Sequence, residues 1–249
     1  MENVSLSGAR KLKKSYPFQI PPQFVDFQFR VTMATLGDIL LTTAQFNADD
    51  NGFGLRRLNE MNCSWVLTRL AIEMKRFPEQ YENIQVETWV EEVARANTTR
   101  NFCIRDEKNE IIGNACSQWV FFDMETRRAK DLQTLDGIHD FANGEASEIE
   151  RPIKLGAVEG ERYDAFKVKY GDIDINGHVN SIRYIQWISD CFSLDQYRAS
   201  QVKRFEINYV NEMLFGDAVE IIGHEKAPDD FRFEIRRGDK VTCKARVVF

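Results

Sequence analysis

The order of predicted elements repeats along the chain, and this repeat constrains the fold more than any other feature. In the first half, alternating apolar and polar residues predict a strand over Asp26–Met33, followed by a helix over Gly37–Ala48. In the second half, a strand predicted over Asp164–Tyr170 precedes a helix near Asn180–Cys191, whose apolar residues recur at three- and four-residue steps. Four more strands are predicted after each helix, so each half reads β-α-β-β-β-β.

These later strands favour a sheet that surrounds a helix in each half. They are predicted at Cys63–Met74, Ile84–Val93, Thr98–Arg105, Ile111–Asp123, Arg204–Val210, Ala218–His224, Phe231–Arg236 and Val241–Val248. One helix among so many strands is shielded from water only if an antiparallel sheet curls around it, so we expect a tandem α+β fold. The polar segment Phe141–Glu161 is predicted to be a linker. The expected units are therefore residues 1–145 and residues 146–249, which include the linker.

The composition excludes several classes of protein and partner. The 249 residues are 43% apolar and 29% charged, as in an ordinary globular protein, and the net charge is −6. An acidic chain lacks the excess of Lys and Arg that attracts nucleic acid, so we expect no nucleic-acid partner. No apolar run reaches the roughly 20 residues of a membrane helix, so we expect no membrane partner.

Cofactor motifs are also missing from the sequence. The histidines at positions 139, 178 and 224 are far apart, no C-x-x-C is present, and no phosphate-binding glycine motif occurs, so we expect no metal or other cofactor. The five scattered cysteines are typical of free thiols in a reducing cytoplasm. Basic residues from Arg10 to Lys14 precede no apolar run, so no signal peptide is predicted and the expected location is cytoplasmic.

A polar cluster lies in the loop before the second helix. Asp174, Asn176 and His178 alternate there, and an extended backbone would point all three the same way. Asn180 or Ser181 is predicted to cap the helix, whose free N–H groups suit a developing oxyanion. The simpler interpretation is a turn in which these side chains satisfy backbone groups. As an internal comparison we take residues 34–38, which make the same strand-to-helix passage without Asn or His.

At this loop the chain resembles a known family. The run DIDINGHVNSIRYIQW (Asp172–Trp187) resembles the D-x-D-x-N-x-H-V-N-N-x-x-Y-x-x-W signature of acyl-acyl carrier protein (acyl-ACP) thioesterases, which release fatty acids in plants and bacteria. WVLTRLAIEM (Trp65–Met74), VETWVEE (Val86–Glu92) and IIGNACSQWVFFDMETRR (Ile111–Arg128) resemble the first repeat of that family. The resemblance covers most of the chain in order and implies two tandem hot-dog folds.

The resemblance also implies one active site in the second repeat, while the first repeat shapes an acyl-chain pocket. The catalytic residues of the family fall on Asp174, Asn176, His178 and Glu212. The family has a Cys after its Glu, in a strand after the helix, but here Met213 follows, and a thioether cannot act as a nucleophile. Glu206 is a weaker candidate for the carboxylate, and we interpret it as a solvated edge residue.

The chemistry required for thioester hydrolysis is an activated water and a polarised carbonyl. We expect Glu212 and His178 to activate water, Asn176 to orient the substrate or water, and Asp174 to fix the loop. Direct attack by the Glu212 carboxylate, through an anhydride, remains open.

Alternatives and partners also remain open at this point. An acyl-CoA thioesterase is a close alternative to the acyl-ACP thioesterase that the resemblance implies. A non-catalytic acyl-ligand sensor is a more distant alternative, because such a sensor would normally carry a DNA-binding segment and none is visible. An acidic carrier protein needs a basic docking patch, and the candidates are residues 127–130, 203–204 and 236–240. The four tryptophans are interpreted as core residues, and the chain could be a monomer or a homodimer.

Overall fold

The structure is a computed structural model that describes residues 12–135 and 137–249. Of the basic residues near the start, Arg10 and Lys11 lie outside the described part, whereas Lys13 and Lys14 begin the first strand. The first half contains β1 (Lys13–Gln19), α1 (Met33–Asp50), α2 (Leu55–Glu60), β2 (Cys63–Met74), β3 (Asn83–Val93), β4 (Asn97–Arg105), β5 (Ile111–Asp123) and β6 (Arg128–Ala129). The second half contains β7 (Glu161–Lys167), α3 (Ser181–Ser189), α4 (Leu194–Ala199), β8 (Arg204–Tyr209), β9 (Ala218–Ala227), β10 (Asp230–Arg237) and β11 (Lys240–Val248).

Within the described ranges, eleven strands form one continuous antiparallel sheet. Ten strands follow the order β1-β3-β4-β5-β2-β8-β11-β10-β9-β7, and β6 pairs with β5. The two halves join where β2 pairs with β8, with Leu70 opposite Ile207. The α+β class predicted from the repeat is therefore confirmed, and each half contributes five strands to the main order.

The two long helices share one apolar core. Most buried apolar residues of α1 and all the buried residues of α3 belong to a single cluster with the inner faces of strands from both halves, whereas Ala48 of α1 belongs to a second cluster. The helices approach closely at Gly37, where an added Cβ would lie 3.0 Å from Cδ1 of Ile185 and 3.2 Å from Cδ1 of Ile182. A side chain at Gly37 would therefore require the Ile182 and Ile185 side chains to shift.

The prediction for the first strand of the first half was wrong. Asp26–Met33 is not a strand, because residues 26–29 form a turn and α1 already begins at Met33. The first strand is β1, which contains Pro17. A proline is tolerated there because β1 lies at the edge of the sheet and has a neighbouring strand on only one side. The corresponding β7 begins three residues before its predicted start, at Glu161.

The loops before α1 and α3 have the same hydrogen-bonded structure. Asp26 N bonds Arg30 O at 2.7 Å, and Asp174 N bonds His178 O at 2.8 Å. Each Asp also accepts the N–H of the residue two positions later through Oδ1, at 2.8 Å in both loops. The segment equivalent to the polar cluster is therefore Val25–Thr32. The expectation that residues 34–38 are the equivalent segment was wrong.

The equivalence continues into the loops after β2 and β8. Val31 N bonds Pro78 O and Val179 N bonds Met213 O, each at 2.9 Å. Because Pro78 then corresponds to Met213, the residue that corresponds to Glu212 is Phe77. The first repeat therefore carries Asp26, Gln28, Arg30 and Phe77 where the second carries Asp174, Asn176, His178 and Glu212.

The segment between the two halves lies against the centre of the sheet. Residues 142–160 contain no helix or strand, as predicted. Ile153 N donates to Glu206 Oε1 at 2.6 Å, and Leu155 N donates to Asn208 Oδ1 at 2.9 Å. Glu206 is only 1% exposed, so the interpretation of this residue as a solvated edge carboxylate was wrong. It lies on a central strand, and the linker covers it.

Candidate active site

The turn before α3 arranges the polar cluster without an extended backbone. Asp174 Oδ1 accepts the N–H groups of Asn176 at 2.8 Å and of His178 at 3.4 Å. Gly177 has a φ of 80°, which allows the tight reversal. An Asx-type turn, rather than the expected strand alternation, therefore brings Asp174, Asn176 and His178 to the wall of one cleft.

The turn also places His178 beside Glu212. His178 Nε2 lies 3.3 Å from Glu212 Oε2, within the range expected for an acid–base pair before substrate binds. Glu212 lies in the loop after β8 and not in a strand, and the bond from Val179 N to Met213 O fixes that loop. The His178 side chain is 23% exposed and that of Glu212 is 46% exposed, so both are accessible from the cleft.

A cation from the first half also contacts Glu212. Arg127 Nη2 donates to Glu212 Oε2, and its guanidinium lies 5.4 Å from the ring centroid of Phe122. Arg127 follows β5, 85 residues before its partner, and has a φ of 57°. The sequence singled out the basic run that contains Arg127, but nothing in the sequence linked it to the carboxylate.

Few backbone N–H groups of the turn are free to bind an oxyanion. Those of residues 176 to 180 already bond Asp174, Met213 O or Asp172 O. Asn180 is the N-cap, as predicted, because its Oδ1 accepts the N–H of Ile182 at 2.9 Å. Among the described residues, no acceptor bonds Ser181 N–H or the Asn176 side-chain amide, and both residues line the cleft. These two groups can donate hydrogen bonds to a carbonyl oxygen.

The cleft adjoins an apolar pocket formed by the first half. The cleft measures ≈ 560 Å³, and the apolar pocket, between α1 and the strands of the first half, measures ≈ 190 Å³. Leu41, Trp65 and Trp119 line both spaces. Two of the four tryptophans that we interpreted as core residues are therefore walls between the cleft and the apolar pocket. The apolar pocket therefore lies next to the cleft that contains the His178–Glu212 pair.

One buried cation lines the apolar pocket. Arg100 is 5% exposed, and its Nη1 donates to Asn47 Oδ1 at 2.7 Å and to Thr88 Oγ1 at 3.2 Å. Burial lowers the pKa of Arg100 to about 10, so the guanidinium stays charged at neutral pH. Sequence analysis missed this residue, because its position in a strand pattern gives no sign of a pocket.

The side chains around the cleft do not form a metal-ligand set. Among residues 12–135 and 137–249, no group of three or more His, Cys, Asp or Glu side chains is arranged to hold a metal ion. No cysteine lines the cleft, and the side chain of Met213, at the position of the family's Cys, is completely buried. The described part of the cleft therefore offers no thiol nucleophile.

A sheet wrapped around two helices, with one polar cleft beside an apolar pocket, defines a tandem hot-dog arrangement. Two domains of one family match the chain: the acyl-ACP thioesterase N-terminal domain over residues 11–135 and the C-terminal domain over residues 156–249. The chain belongs to the acyl-ACP thioesterase family.

Solved structures and plant relatives agree with this assignment. An acyl-ACP thioesterase from Bacteroides thetaiotaomicron is 40% identical, with a TM-score of 0.88 over 95% of this chain and 97% of that chain. The 12:0-ACP thioesterase from Umbellularia californica, 18% identical over 97% and 98% of the chains, shares the fold with a TM-score of 0.81. The chloroplastic oleoyl-acyl carrier protein thioesterase 2 of Arabidopsis thaliana is 23% identical over 80% of this chain. The match spans only 59% of that plant protein.

Proposed function

We propose that this protein hydrolyses the thioester of fatty acyl-ACP and releases a free fatty acid, which ends acyl-chain growth. The observation that carries the proposal is the His178–Glu212 pair, whose Nε2 and Oε2 atoms are 3.3 Å apart in a cleft that adjoins the apolar pocket. Membership of the acyl-ACP thioesterase family supports the choice of substrate.

The proposed reaction uses water as the nucleophile. Glu212 and His178 remove a proton from water while the water oxygen attacks the thioester carbonyl carbon, and the carbon–sulfur bond then breaks. The proton passes to the departing thiolate, so a free thiol and a fatty acid are the products. Positioned acid–base groups of this kind contribute about 10²–10⁴-fold to a rate.

The remaining residues orient the reacting groups. Asn176 and the N–H of Ser181 stabilise the carbonyl oxygen as it gains negative charge, a contribution of about 10²–10³-fold per donor. Asp174 is a positioning residue, because its carboxylate is already bonded to the backbone of the turn. Attack by Glu212 itself would differ by forming an anhydride. If water labelled with ¹⁸O opens that anhydride at the Glu212 carbonyl, the label enters the Glu212 carboxylate.

The first test measures fatty-acid release from a panel of acyl-ACP substrates of increasing chain length. Glu212→Gln and His178→Ala should each lower kcat by about 10²–10⁴-fold while circular dichroism and Tm stay close to the wild type. Glu220→Gln, an exposed change on β9, is the matched control. Near-normal turnover in both cleft variants would refute the proposed site, and faster hydrolysis of matched acyl-CoA substrates would refute the carrier-protein preference.

The carrier protein is proposed to dock at residues 127–130. This is the one cluster among the three candidates that borders the cleft, through Arg127. Arg127 and Lys130 of this cluster form ion pairs with Glu212 and Asp123. In the other clusters, Arg204, Arg236 and Arg237 likewise form ion pairs with carboxylates of the sheet and its loops. Arg128 is exposed on β6 and forms no ion pair within the described part of the chain, so it can meet an acidic partner.

The docking proposal is tested by charge reversal. Arg128→Glu should raise KM for acyl-ACP about tenfold without changing hydrolysis of a small thioester, because only the carrier protein meets this surface. Arg162→Glu, on the exposed β7 strand, is the control that reverses a charge far along the sheet order. Equal losses on both substrates would rule out docking at this cluster.

We also propose a cytoplasmic location. The five cysteines are all free thiols, and four of them are buried. In residues 12–135 and 137–249, no helix has the length and apolar character needed to cross a membrane.

A further inference from the structure

The first repeat has a pocket of its own at the position equivalent to the catalytic cleft. This first-repeat pocket, ≈ 190 Å³ in volume, is lined by Asp26, Gln28 and Arg30 of the loop before α1, by Phe77, and by residues of α3 and residues 194–202. The catalytic cleft is lined by the corresponding loop before α3, by Glu212, and by residues of α1 and β2. The two spaces are therefore related by the internal repeat.

The residue differences between the two sites make the first-repeat pocket more positively charged than the catalytic cleft. Phe77 replaces the Glu212 carboxylate, and Arg30, a permanent cation, replaces His178. Asp26 is retained, but its Oδ1 accepts the backbone N–H groups of Gln28 and Arg30. The first-repeat pocket has thus lost the group that would activate water and has gained a cation.

The Arg30 guanidinium has no internal counterion. Within residues 12–135 and 137–249, no carboxylate forms an ion pair with Arg30. The other acid that lines the pocket, Asp190, accepts a hydrogen bond from the side-chain amide of Gln186 at 2.7 Å. Arg30 can therefore bind an anion that enters from solvent.

The rest of the pocket wall is suited to an aliphatic chain. Val31, Met33 and Phe77 are buried in the wall, whereas Phe27 and Leu194 are 44% and 54% exposed. Exposed apolar side chains around a concavity lower their free energy when an apolar ligand covers them. A cation next to such walls matches a ligand with a carboxylate head and an aliphatic tail.

We propose that the first-repeat pocket is a second ligand site that binds a free fatty acid, with the carboxylate on Arg30 and the chain along Val31 and Phe77. The loss of the carboxylate at Phe77 matters because an acid without a paired cation at that position would repel a carboxylate ligand, whereas Arg127 pairs with Glu212 in the catalytic cleft. The choice of a fatty acid rests on the proposed function, since this acid is the product of the proposed reaction.

The test measures binding of decanoate to the full chain by isothermal titration calorimetry. The wild type should bind two equivalents, one in the catalytic cleft with its apolar pocket and one in the first-repeat pocket. Arg30→Gln should weaken one of these equivalents about tenfold to a hundredfold, because a charge-assisted hydrogen bond is lost. Phe77→Glu should weaken the same equivalent, and Arg162→Gln, on β7, should keep both.

Decanol and an independent spectroscopic measurement separate this proposal from a purely structural effect. Arg30→Gln should leave decanol binding unchanged, because an alcohol does not need the cation. Two carboxyl resonances of bound [1-¹³C]decanoate are expected in the wild type, a result that needs no variant to fold. A single bound resonance, or an equal loss of decanoate and decanol in Arg30→Gln, would overturn the proposal.

The outcome is independent of hydrolysis. Arg30→Gln should hydrolyse acyl-ACP at the wild-type initial rate, because Arg30 lies outside the catalytic cleft. Two bound decanoates without acyl-ACP hydrolysis would refute the proposed function and keep the second site. Hydrolysis with one bound decanoate would do the reverse.

Discussion

The loops before α1 and α3 have the same backbone hydrogen bonds, and comparing them distinguishes the residues that shape the turn from the residues that are candidates for catalysis. The Asp is present in both repeats, as Asp26 and Asp174, and in both it accepts backbone N–H groups. His178 and Glu212, in contrast, become Arg30 and Phe77 in the first repeat. The turn therefore requires its Asp but not the His or the Glu, which favours a chemical role for the last two.

Two carboxylates near β8 have different environments. Glu206 is 1% exposed, accepts the N–H of Ile153 and pairs with Arg204 at 3.1 Å. Glu212 is almost half exposed and meets His178 in the cleft. Burial and saturated bonding assign Glu206 to the structure of the sheet centre.

Replacement of Glu206 tests this difference. Glu206→Ala should lower the free energy of unfolding by about 3 kcal/mol, because it leaves the Arg204 guanidinium and a linker N–H without their buried partner. Chemical denaturation measures this change, and kcat per folded molecule should stay near the wild-type value. Glu220→Ala, a change at a half-exposed carboxylate, should alter stability by less than about 1 kcal/mol. A large loss of kcat in folded Glu206→Ala would assign this carboxylate to catalysis.

At the scale of elements, the strands next to clear turns were the best predicted. The bounds of β2 and β5 are those expected from alternation, and a turn at residues 106–109 joins β4 to β5. β1 was missed because Pro17 interrupts its pattern, and the pattern at residues 26–33 was misinterpreted because a turn can also alternate apolar and polar residues. Local periodicity identifies a strand only where neighbouring strands complete its hydrogen bonds.

The β4–β5 hairpin gives a pH-dependent prediction. The N–H of Glu110, the Arg76 guanidinium and the N–H of Lys108 bond Asp106 and hold its pKa below the ordinary value of 3.8, against the opposing effect of burial. Because the folded-state pKa is lowered, this stabilisation is complete above the unfolded-state pKa and is lost as the pH falls through the folded-state pKa.

Thermal melts of Asp106→Asn measure this stabilisation. The variant should melt below the wild type at pH 7, and the difference in Tm should shrink as the pH falls below about 4. Asp38→Asn, at an exposed position of α1, is the control and should show no such trend. A difference in Tm that is independent of pH would contradict an electrostatic role for Asp106.

At the scale of the whole molecule, the repeats have unequal roles within one sheet. The first half supplies the apolar pocket and Arg127, whereas the second half supplies the turn and Glu212. The β2–β8 pairing and the linker bonded to Glu206 and Asn208 hold these parts together. The proposed reaction therefore depends on both halves although its acid–base pair belongs to one.

A substitution in the first half should consequently change substrate choice in the second. Ala48, on α1, is 6% exposed and lines the apolar pocket. Ala48→Phe should lower kcat/KM for long-chain acyl-ACP at least about tenfold more than for short-chain substrates, because the ring fills the space for the end of the chain. The acyl-ACP panel measures this, with Ala165→Phe on β7 as control. Equal losses at every chain length would separate the pocket from chain recognition.

The sequence by itself determined the repeat, most of the strands, the cap at Asn180 and the residues of the turn at 174–178, because these depend on residues close together in the chain. Only the tertiary structure decided that Arg127 meets Glu212 across 85 residues and that the linker covers Glu206. The equivalence of Phe77 to Glu212 also became visible only through matched backbone hydrogen bonds. Such contacts depend on sheet register and on how the two halves pack, and local sequence patterns carry no information about either.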